Sequence, residues 1–209
     1  MNRRILGQKF ARFATDAVLR SPRLWRLFRP VLRRQFDAIA ATWDELRLSD
    51  HLASYERALE AVEPAPRQAL DLGTGTGQGA FAIARRFPES RVIGVDLAER
   101  MLAQAERKTP PELRERVTFE QGDASRLAYP DGSFDLVAHA NMIPFFDELE
   151  RLVAPGGHVL FAFSSGASTP IYVTPERLRT ELGQRGFTDF ADFEAAQGTA
   201  LLARTGKRA

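Results

Sequence analysis

The fold is decided by residues 69–77, which read Ala69-Leu70-Asp71-Leu72-Gly73-Thr74-Gly75-Thr76-Gly77. The first four residues predict a short buried strand, because they are apolar apart from one acid. The glycines that follow predict a sharp turn whose backbone can approach a ligand closely. A helix is predicted over residues 78–87, and its free N–H groups would face that turn.

The chain after residue 66 alternates between strand-like and helix-like segments. Further strands are predicted at residues 91–96, 117–120, 134–140 and 158–163, with a closing hairpin at 190–195 and 200–204. Pro155-Gly156-Gly157 predicts a turn before the fifth strand. This alternation predicts an α/β fold, a Rossmann-like three-layer sandwich with a mainly parallel sheet of seven strands. Ligands bind such sheets beyond the carboxyl ends of the strands.

The first 66 residues are predicted to be helical. Apolar residues follow helical spacing in two stripes, at Leu6, Phe10, Phe13 and Ala17, and at Leu24, Leu27, Phe28 and Val31. Pro30 predicts a kink, and a third helix is predicted over residues 34–46. We therefore divide the chain into a basic amphipathic helical arm (residues 1–36), a helical cap (37–66) and a core that carries the sheet (67–209).

Charge is distributed unevenly along the chain. Residues 1–36 contain ten Lys or Arg residues and one acid, whereas the remainder contains 19 basic and 26 acidic residues. The arm therefore carries +9 and the rest of the chain −7. Three roles stay open for the arm: a lid with a solvated charged face, contact of residues 1–33 with an anionic membrane, and nucleic-acid binding. The last is the least expected, because no recognition module is visible.

Composition excludes several classes of protein. The absence of cysteine rules out disulfides and thiolate metal ligands, and no metal site is predicted. No apolar run approaches ~18 residues, so no transmembrane helix is expected. Gly7, Gln8 and Lys9 interrupt the apolar core that a signal peptide would need. We expect a cytoplasmic protein, peripheral at the membrane if the arm binds lipid.

Three acids follow neighbouring strands of the predicted sheet. The glycine spacing is G-x-G-x-G, and Gln78 stands where the dinucleotide fingerprint requires its third glycine. Asp71 before the turn disfavours a pyrophosphate and favours an amino group. Asp96 is placed to bind ribose hydroxyls, and Asp123 can accept from an adenine amino group. Together the acids suit a ligand with an amine, a ribose, an adenine and a positive centre.

Residues 70–161 resemble the core of class I S-adenosylmethionine-dependent methyltransferases, especially the group described as the methyltransferase type 11 domain. Five stretches carry the resemblance, in the family's order: residues 70–77, Val92-Ile93-Gly94-Val95-Asp96-Leu97, Gly122-Asp123-Ala124, Phe134-Asp135-Leu136-Val137 and Leu152-Val153-Ala154-Pro155-Gly156-Gly157. One such motif would be weak evidence, but five in order are strong evidence. The resemblance also implies that the last strand runs antiparallel.

The resemblance implies a role for individual residues of an S-adenosylmethionine site. The turn of Gly73, Thr74 and Gly75 would pass under the methionine part of the cofactor. Asp96 would hold the ribose, Leu97 would pack on adenine, and Asp123 with Ala124 would hold the adenine edge. Residues 139–141 would face the sulfonium and the substrate. Ala140 is therefore assigned to the cofactor, and Asn141, with Trp43 of the cap, to the substrate.

We predict an S-adenosylmethionine-dependent methyltransferase for a small-molecule acceptor, for which an apolar compound is one option. Methyl transfer depends on alignment of the two reactants and needs a general base only when the acceptor must lose a proton. His139 is the candidate base, with a buried structural histidine as the alternative. Two other functions stay open: an aminopropyl transferase of the same fold, disfavoured because no Asp-rich motif follows the fourth strand, and a non-catalytic cofactor-binding protein that acts through its arm.

Overall fold

A computed structural model describes residues 3–46 and 50–206, with side chains from residue 8 onward. Residues 1–2, 47–49 and 207–209, which belong to the predicted arm, cap and core, lie outside the described residues. The side chain of Leu6 lies outside them as well. The described helices are α1 (Arg3–Arg20), α2 (Trp25–Ile39), α3 (Ala53–Leu59), α4 (Gln78–Arg86), α5 (Glu99–Lys108), α6 (Phe146–Leu152) and α7 (Pro175–Gly183). The described strands are β1 (Gln68–Leu72), β2 (Arg91–Asp96), β3 (Val117–Gln121), β4 (Phe134–Ala140), β5 (Val153–Phe163), β6 (Phe187–Ala195) and β7 (Gly198–Thr205).

The seven described strands form one sheet in the order β3-β2-β1-β4-β5-β7-β6. Strands β1 to β5 pair in parallel, whereas β7 is antiparallel to both of its neighbours. This confirms the predicted fold class, including the antiparallel last strand. The strand order reverses between β1 and β4, and the crevice at such a switch point is where open α/β sheets bind ligands.

Side chains that alternate along the strands bury one set of residues on each face of the sheet. One face packs against α3 and α4, with Tyr55 and Ile83 among its buried residues. The other face packs against α6 and α7, through Leu149 and Leu182. The central strands therefore carry apolar residues on both sides, as parallel strands covered by two helical layers do.

The predicted start of the fifth strand is wrong. Strand β5 begins at Val153 and includes the predicted turn Pro155-Gly156-Gly157. The pairing of β4 with β5 shifts register between Phe134 and Leu136, and Gly156 has a φ of 77°. The Gly156 N–H donates to Thr205 Oγ1 at 2.8 Å. The glycine therefore forms an irregularity within the strand and does not end it.

The arm and the cap also differ from prediction. Helix α2 continues through Pro30 to Ile39 and is followed by 3-10 turns at Ala40–Thr42 and Asp44–Leu46, so a separate helix over residues 34–46 is wrong. The boundary proposed between residues 36 and 37 falls inside α2.

The arm packs on the core through Val18 and Leu32, which are buried, and through Phe10 and Phe28 of the two apolar stripes, which are partly buried against them. Leu32 packs with Ile143 and Phe145 of the core. Phe13, Leu27 and Val31, which belong to the same two stripes, are 63%, 68% and 49% exposed. No helix of the described residues is long and apolar enough to cross a membrane.

Candidate cofactor and acceptor site

A cavity of about 610 Å³ lies at the carboxyl ends of the strands on either side of the switch point. We call the side of the cavity that the strand ends form its floor. The floor consists of Gly73, Gly75, Asp96, Leu97, Gly122, Ala124 and Ala140. Helix α2 and the cap close the opposite side, and Trp43 and Asn141 also line the cavity. Four predicted site residues do not line it: Asp71, Thr74, Asp123 and His139.

The loop at residues 73–77 needs its glycines for two physical reasons. Gly73 and Gly75 have φ angles of 64° and 56°, in the left-handed region that side chains with a Cβ rarely adopt. A Cβ at Gly73 would also lie 2.9 Å from Met142 Sδ. The loop is tied to β2, because the Thr74 N–H donates to the Val95 carbonyl at 3.0 Å. Its backbone therefore stays open toward the cavity.

Asp96 ends strand β2 and joins the loop to the cavity. Its Oδ2 accepts from the Gly75 N–H at 2.9 Å, and its Oδ1 accepts from the Ala98 N–H at 2.8 Å. Burial raises the pKa of Asp96, and the backbone hydrogen bonds oppose that shift only in part. The carboxylate thus fixes the loop and still borders the cavity, where a ribose hydroxyl could reach it.

Asp71 points away from the cavity, which corrects its assignment to the cofactor's amino group. Alternation along β1 turns the side chain toward α3 and α4. There Asp71 accepts from Thr74 Oγ1 at 2.6 Å and from the Tyr55 hydroxyl at 3.2 Å. Burial raises the pKa of Asp71 to about 6. Asp71 and Thr74 therefore brace the glycine loop from beneath.

Asp123 carries four hydrogen bonds, two of which come from the arm. Its Oδ1 accepts from Trp25 Nε1 at 2.8 Å and from the N–H and hydroxyl of Ser125. Its Oδ2 accepts from Arg29 Nη1 at 2.7 Å. Burial alone would raise the pKa of Asp123, but the hydrogen bonds from Arg29, Ser125 and Trp25 outweigh it and lower the pKa. The arm thus holds the carboxylate that we assigned to the adenine edge.

His139 lies on the sheet face opposite to the cap, which corrects its assignment as the general base. Its side chain is fully buried, and its ring packs edge-on against Phe161 with centroids 4.4 Å apart. Neither ring nitrogen has a hydrogen-bond partner among the residues that the structure describes. Burial lowers the pKa of His139 to about 3. The ring is thus packed in the interior, as in the structural alternative, but it is fully buried and its nitrogens lack, within the described part of the chain, the partners that this alternative included.

Asn141 and Trp43 reach the cavity from opposite sides. Asn141 has a φ of 55°, and its Oδ1 accepts from the Ser164 N–H at 2.9 Å and the Ser164 hydroxyl at 3.2 Å. Trp43 packs edge-on against Phe36. The adjacent Asp44 accepts from Thr76 Oγ1 and Lys108 Nζ, both at 2.6 Å. These bonds fix the cap above the glycine loop.

The far half of the cavity is apolar and uncharged. Its walls are Leu32 of the arm and core residues that the sequence analysis did not select, among them Ile143, Phe145 and Ile171. The polar groups beside them are neutral: Gln35, Ser164, Ser165 and Thr169. Among the lining residues that the structure describes, Asp96 is the one charged side chain. No short motif marks these apolar residues, because they meet only in the folded chain.

Comparison with known proteins agrees with this geometry. Residues 69–157 match a family described as a methyltransferase domain. The chain is 38% identical over 144 residues to a malonyl-[acyl-carrier protein] O-methyltransferase of Halorhodospira halophila, covering 64% of this chain and 48% of that protein. It is 38% identical over 119 residues to a demethylmenaquinone methyltransferase of Deinococcus radiodurans, covering 53% and 49%. The chain thus spans about half the length of these relatives.

A solved structure shows the same fold. The crystal structure of a SAM-dependent methyltransferase from Aquifex aeolicus aligns with a TM-score of 0.63 at 16% identity, covering 79% of this chain and 97% of that one. The family match confirms the predicted resemblance and the predicted cofactor, S-adenosylmethionine. Residues 69–157 therefore match a methyltransferase domain in sequence, and the chain shares its fold with a SAM-dependent methyltransferase.

Proposed function

We propose that this chain binds S-adenosylmethionine on the floor of the cavity and transfers its methyl group to a small, neutral, apolar acceptor beneath the arm. One observation carries the proposal. A single cavity joins a glycine loop held by Asp96 to apolar walls that carry no charge among the described residues. Its volume of about 610 Å³ falls in the range of small-molecule sites, roughly 300–1,000 Å³.

The floor fits the cofactor in shape and in chemistry. Gly73 and Gly75 let the backbone approach the amino-acid part closely, because no Cβ stands in the way. Asp96 offers a carboxylate to the ribose hydroxyls, and such charge-assisted bonds are strong when partly buried. Leu97, Met101 and Ala124 form apolar walls suited to a purine. When bound, the cofactor supplies a methyl group already activated on a sulfonium.

The walls favour a neutral acceptor over an acidic one. An acceptor carboxylate against the apolar walls beneath the arm would meet no Lys, Arg or His side chain among the described lining residues, and burial of an unpaired charge there is costly. A malonyl group, as in the name of one relative, would therefore lack a partner. An apolar ring system, as in the name of the other relative, would bury its surface against Leu32, Ile143 and Phe145.

The contribution of the protein to the reaction is alignment and exclusion of water. Asp96 is the one acid or base in the described lining, and two backbone N–H groups already bind it. The Ser164 N–H donates to Asn141 Oδ1 and so fixes the Asn141 side chain. The amide N–H groups of Asn141 point away from this hydrogen bond. We propose that this amide orients a polar group of the acceptor, while the apolar walls keep the methyl group and nucleophile dry and in line.

Binding and turnover measurements test this proposal and separate it from the two alternatives. S-adenosylmethionine and its demethylated product should bind with micromolar affinity in calorimetry, and NAD should not. A cofactor-turnover assay should then give product with neutral naphthols or phenols and none with small dicarboxylates. Binding without turnover on either panel would favour a non-catalytic protein, and turnover with decarboxylated cofactor would favour aminopropyl transfer.

We also propose peripheral contact between the arm and an anionic membrane, at the cytoplasmic surface. The support is a face on which Leu27 and Val31 are exposed beside Arg26, Arg33 and Arg34. None of these arginines forms an ion pair within the described part of the chain. Co-sedimentation with anionic vesicles should be strong at low salt and weak at high salt. Equal sedimentation with neutral vesicles would contradict it.

A further inference from the structure

Asp123 has little hydrogen-bonding capacity left for a ligand while the arm is in place. A carboxylate offers about four lone-pair sites, two on each oxygen, and four donors already bind it, three on Oδ1 and one on Oδ2. Two come from Ser125, its near neighbour in the chain. The other two come from Trp25 and Arg29, 98 and 94 residues away in sequence. A ligand donor must therefore displace one of the three donors on Oδ1 or share Oδ2 with Arg29. Trp25 and Arg29 of the arm can leave these positions without breaking the core.

The position of Trp25 leads to the same conclusion. Trp25 lines the cavity, and so do Gly122 and Ala124 on either side of Asp123, but Asp123 itself does not. The indole thus lies against the carboxylate at the purine end of the floor. Its ring is held by an edge-on contact with Phe145, with centroids 5.2 Å apart. A purine amino group can bind Asp123 Oδ1 in this position only after the indole N–H has moved.

Helix α2 presents a second, quite different face to the outside. Leu27 and Val31, four residues apart, are exposed on it together with Arg26, Arg33 and Arg34. Arg29 lies between the two faces: its side chain is 46% exposed although its guanidinium binds Asp123. Anionic headgroups at the outer face would therefore compete with Asp123 for Arg29, while the bilayer buries the exposed apolar side chains.

We propose that α2 is a latch that occupies Asp123 in the free protein, and that an anionic lipid surface at its outer face releases Asp123 for the purine end of the cofactor. This inference rests on the proposed cofactor site. Linkage makes the coupling reciprocal: whatever holds the arm on Asp123 weakens cofactor binding, and bound cofactor loosens the arm to the same extent. Loading of the cofactor would thus be favoured at the membrane from which an apolar acceptor can be drawn.

Calorimetric binding of S-adenosylhomocysteine tests the latch without relying on turnover. Trp25→Phe keeps an aromatic ring against Phe145 but removes the N–H, and Arg29→Gln removes the ion pair. The full-length double variant should bind roughly 5- to 150-fold more tightly than the wild type, the range typical of coupling between sites. Arg57→Gln, which breaks an exposed ion pair with Glu60, is the charge-matched control and should bind as the wild type does.

Vesicles test the lipid half of the proposal. Vesicles of phosphatidylglycerol and phosphatidylcholine (3:7) should tighten binding by the wild type and leave the double variant unchanged, and pure phosphatidylcholine should affect neither. Arg29→Gln alone is the control for misfolding of the double variant, because the Arg29 side chain is partly exposed. Equal affinity of wild type, single and double variants overturns the latch but not the cofactor site. No effect of anionic vesicles on the wild type overturns lipid release, and no binding by any form overturns the cofactor site and the latch together.

Discussion

The floor of the cavity and helix α2 border the same space but are held by different kinds of interaction. The floor is fixed by backbone groups: Asp96 binds two N–H groups, and the Thr74 N–H binds β2. Helix α2 is fixed by side chains, through Leu32 against the core and through Trp25 and Arg29 on Asp123. The backbone hydrogen bonds of the floor cannot break without loss of the fold, whereas the side-chain contacts of α2 can separate. Substitutions in the floor and in α2 should therefore have different effects on ligand binding and on stability.

The largest effect is expected from a change in the floor. Gly75→Val places a β-branched residue at a φ of 56°, where such residues are strongly disfavoured. The loop must then change its backbone angles, so binding of S-adenosylhomocysteine should fall below detection in calorimetry. Far-UV circular dichroism should stay near that of the wild type. Gly183→Ala is the control, because a Cβ there meets nothing within 4 Å. Normal binding by Gly75→Val would separate the loop from the site.

Asp71, which supports the glycine loop from beneath, should make the free energy of unfolding depend on pH. Burial raises the pKa of Asp71 from 3.8 to about 6, so the folded protein binds this proton more tightly than the unfolded chain. The resulting stabilisation is full below about pH 3.8 and is lost as the pH rises through about 6, amounting to ~3 kcal/mol.

The variant Asp71→Asn cannot titrate and should remove this contribution. Urea unfolding at pH 4.5, 5.5, 6.5 and 7.5 measures it as the difference in free energy of unfolding between variant and wild type. That difference should shift in favour of the variant as the pH rises and level off above pH 7. Parallel pH profiles for the two proteins would show that Asp71 keeps its ordinary pKa.

A smaller effect is expected at the edge of the floor. Asp96→Ala should weaken binding of S-adenosylhomocysteine by roughly 1.5–3 kcal/mol, the cost of a lost charge-assisted hydrogen bond. Part of the loss arises because the Gly75 and Ala98 N–H groups lose their acceptor. Asp192→Ala, which removes only the exposed partner of Arg179, serves as the control. Unchanged affinity of Asp96→Ala in calorimetry would remove the carboxylate from the site.

The sequence predicts the floor far better than the arm, for a physical reason. Strand, turn and helix in the core are set by local patterns, so the glycine loop and the acids at the ends of β1 and β2 could be placed in advance. The antiparallel β7 was predicted only through the family resemblance, and the strand order of the sheet was not predicted. In the arm, both helices are amphipathic, but the sequence does not say which stripe meets the core. The two apolar stripes include Phe10 and Phe28, which pack against the core, as well as Phe13, Leu27 and Val31, which are exposed.

Site residues that depend on side-chain direction were the hardest to predict. Asp71 and His139 stand at the ends of strands that border the cavity, yet pleating turns both side chains into the interior. Local spacing also gave no sign that Trp25 and Arg29 would bind an acid more than 90 residues away. The apolar wall at Ile143, Phe145 and Ile171 was missed because these residues converge only on folding.

The smallest effects are expected within helix α2, where a matched pair of leucines separates its inner and outer faces. Leu32 is 8% exposed and packs with Ile143 and Phe145, whereas Leu27 is 68% exposed. Leu32→Ala should lower the free energy of unfolding by about 1–2 kcal/mol, less than for a leucine deep in a core because the arm can reseat. Leu27→Ala should change stability by less than about 0.5 kcal/mol but should reduce sedimentation with anionic vesicles, since it removes apolar surface from the lipid contact. Urea unfolding of both variants measures the change in stability, and vesicle sedimentation measures the change in lipid binding. The opposite pattern, with Leu27→Ala the more destabilising and Leu32→Ala the poorer lipid binder, would mean that the two faces of α2 are exchanged.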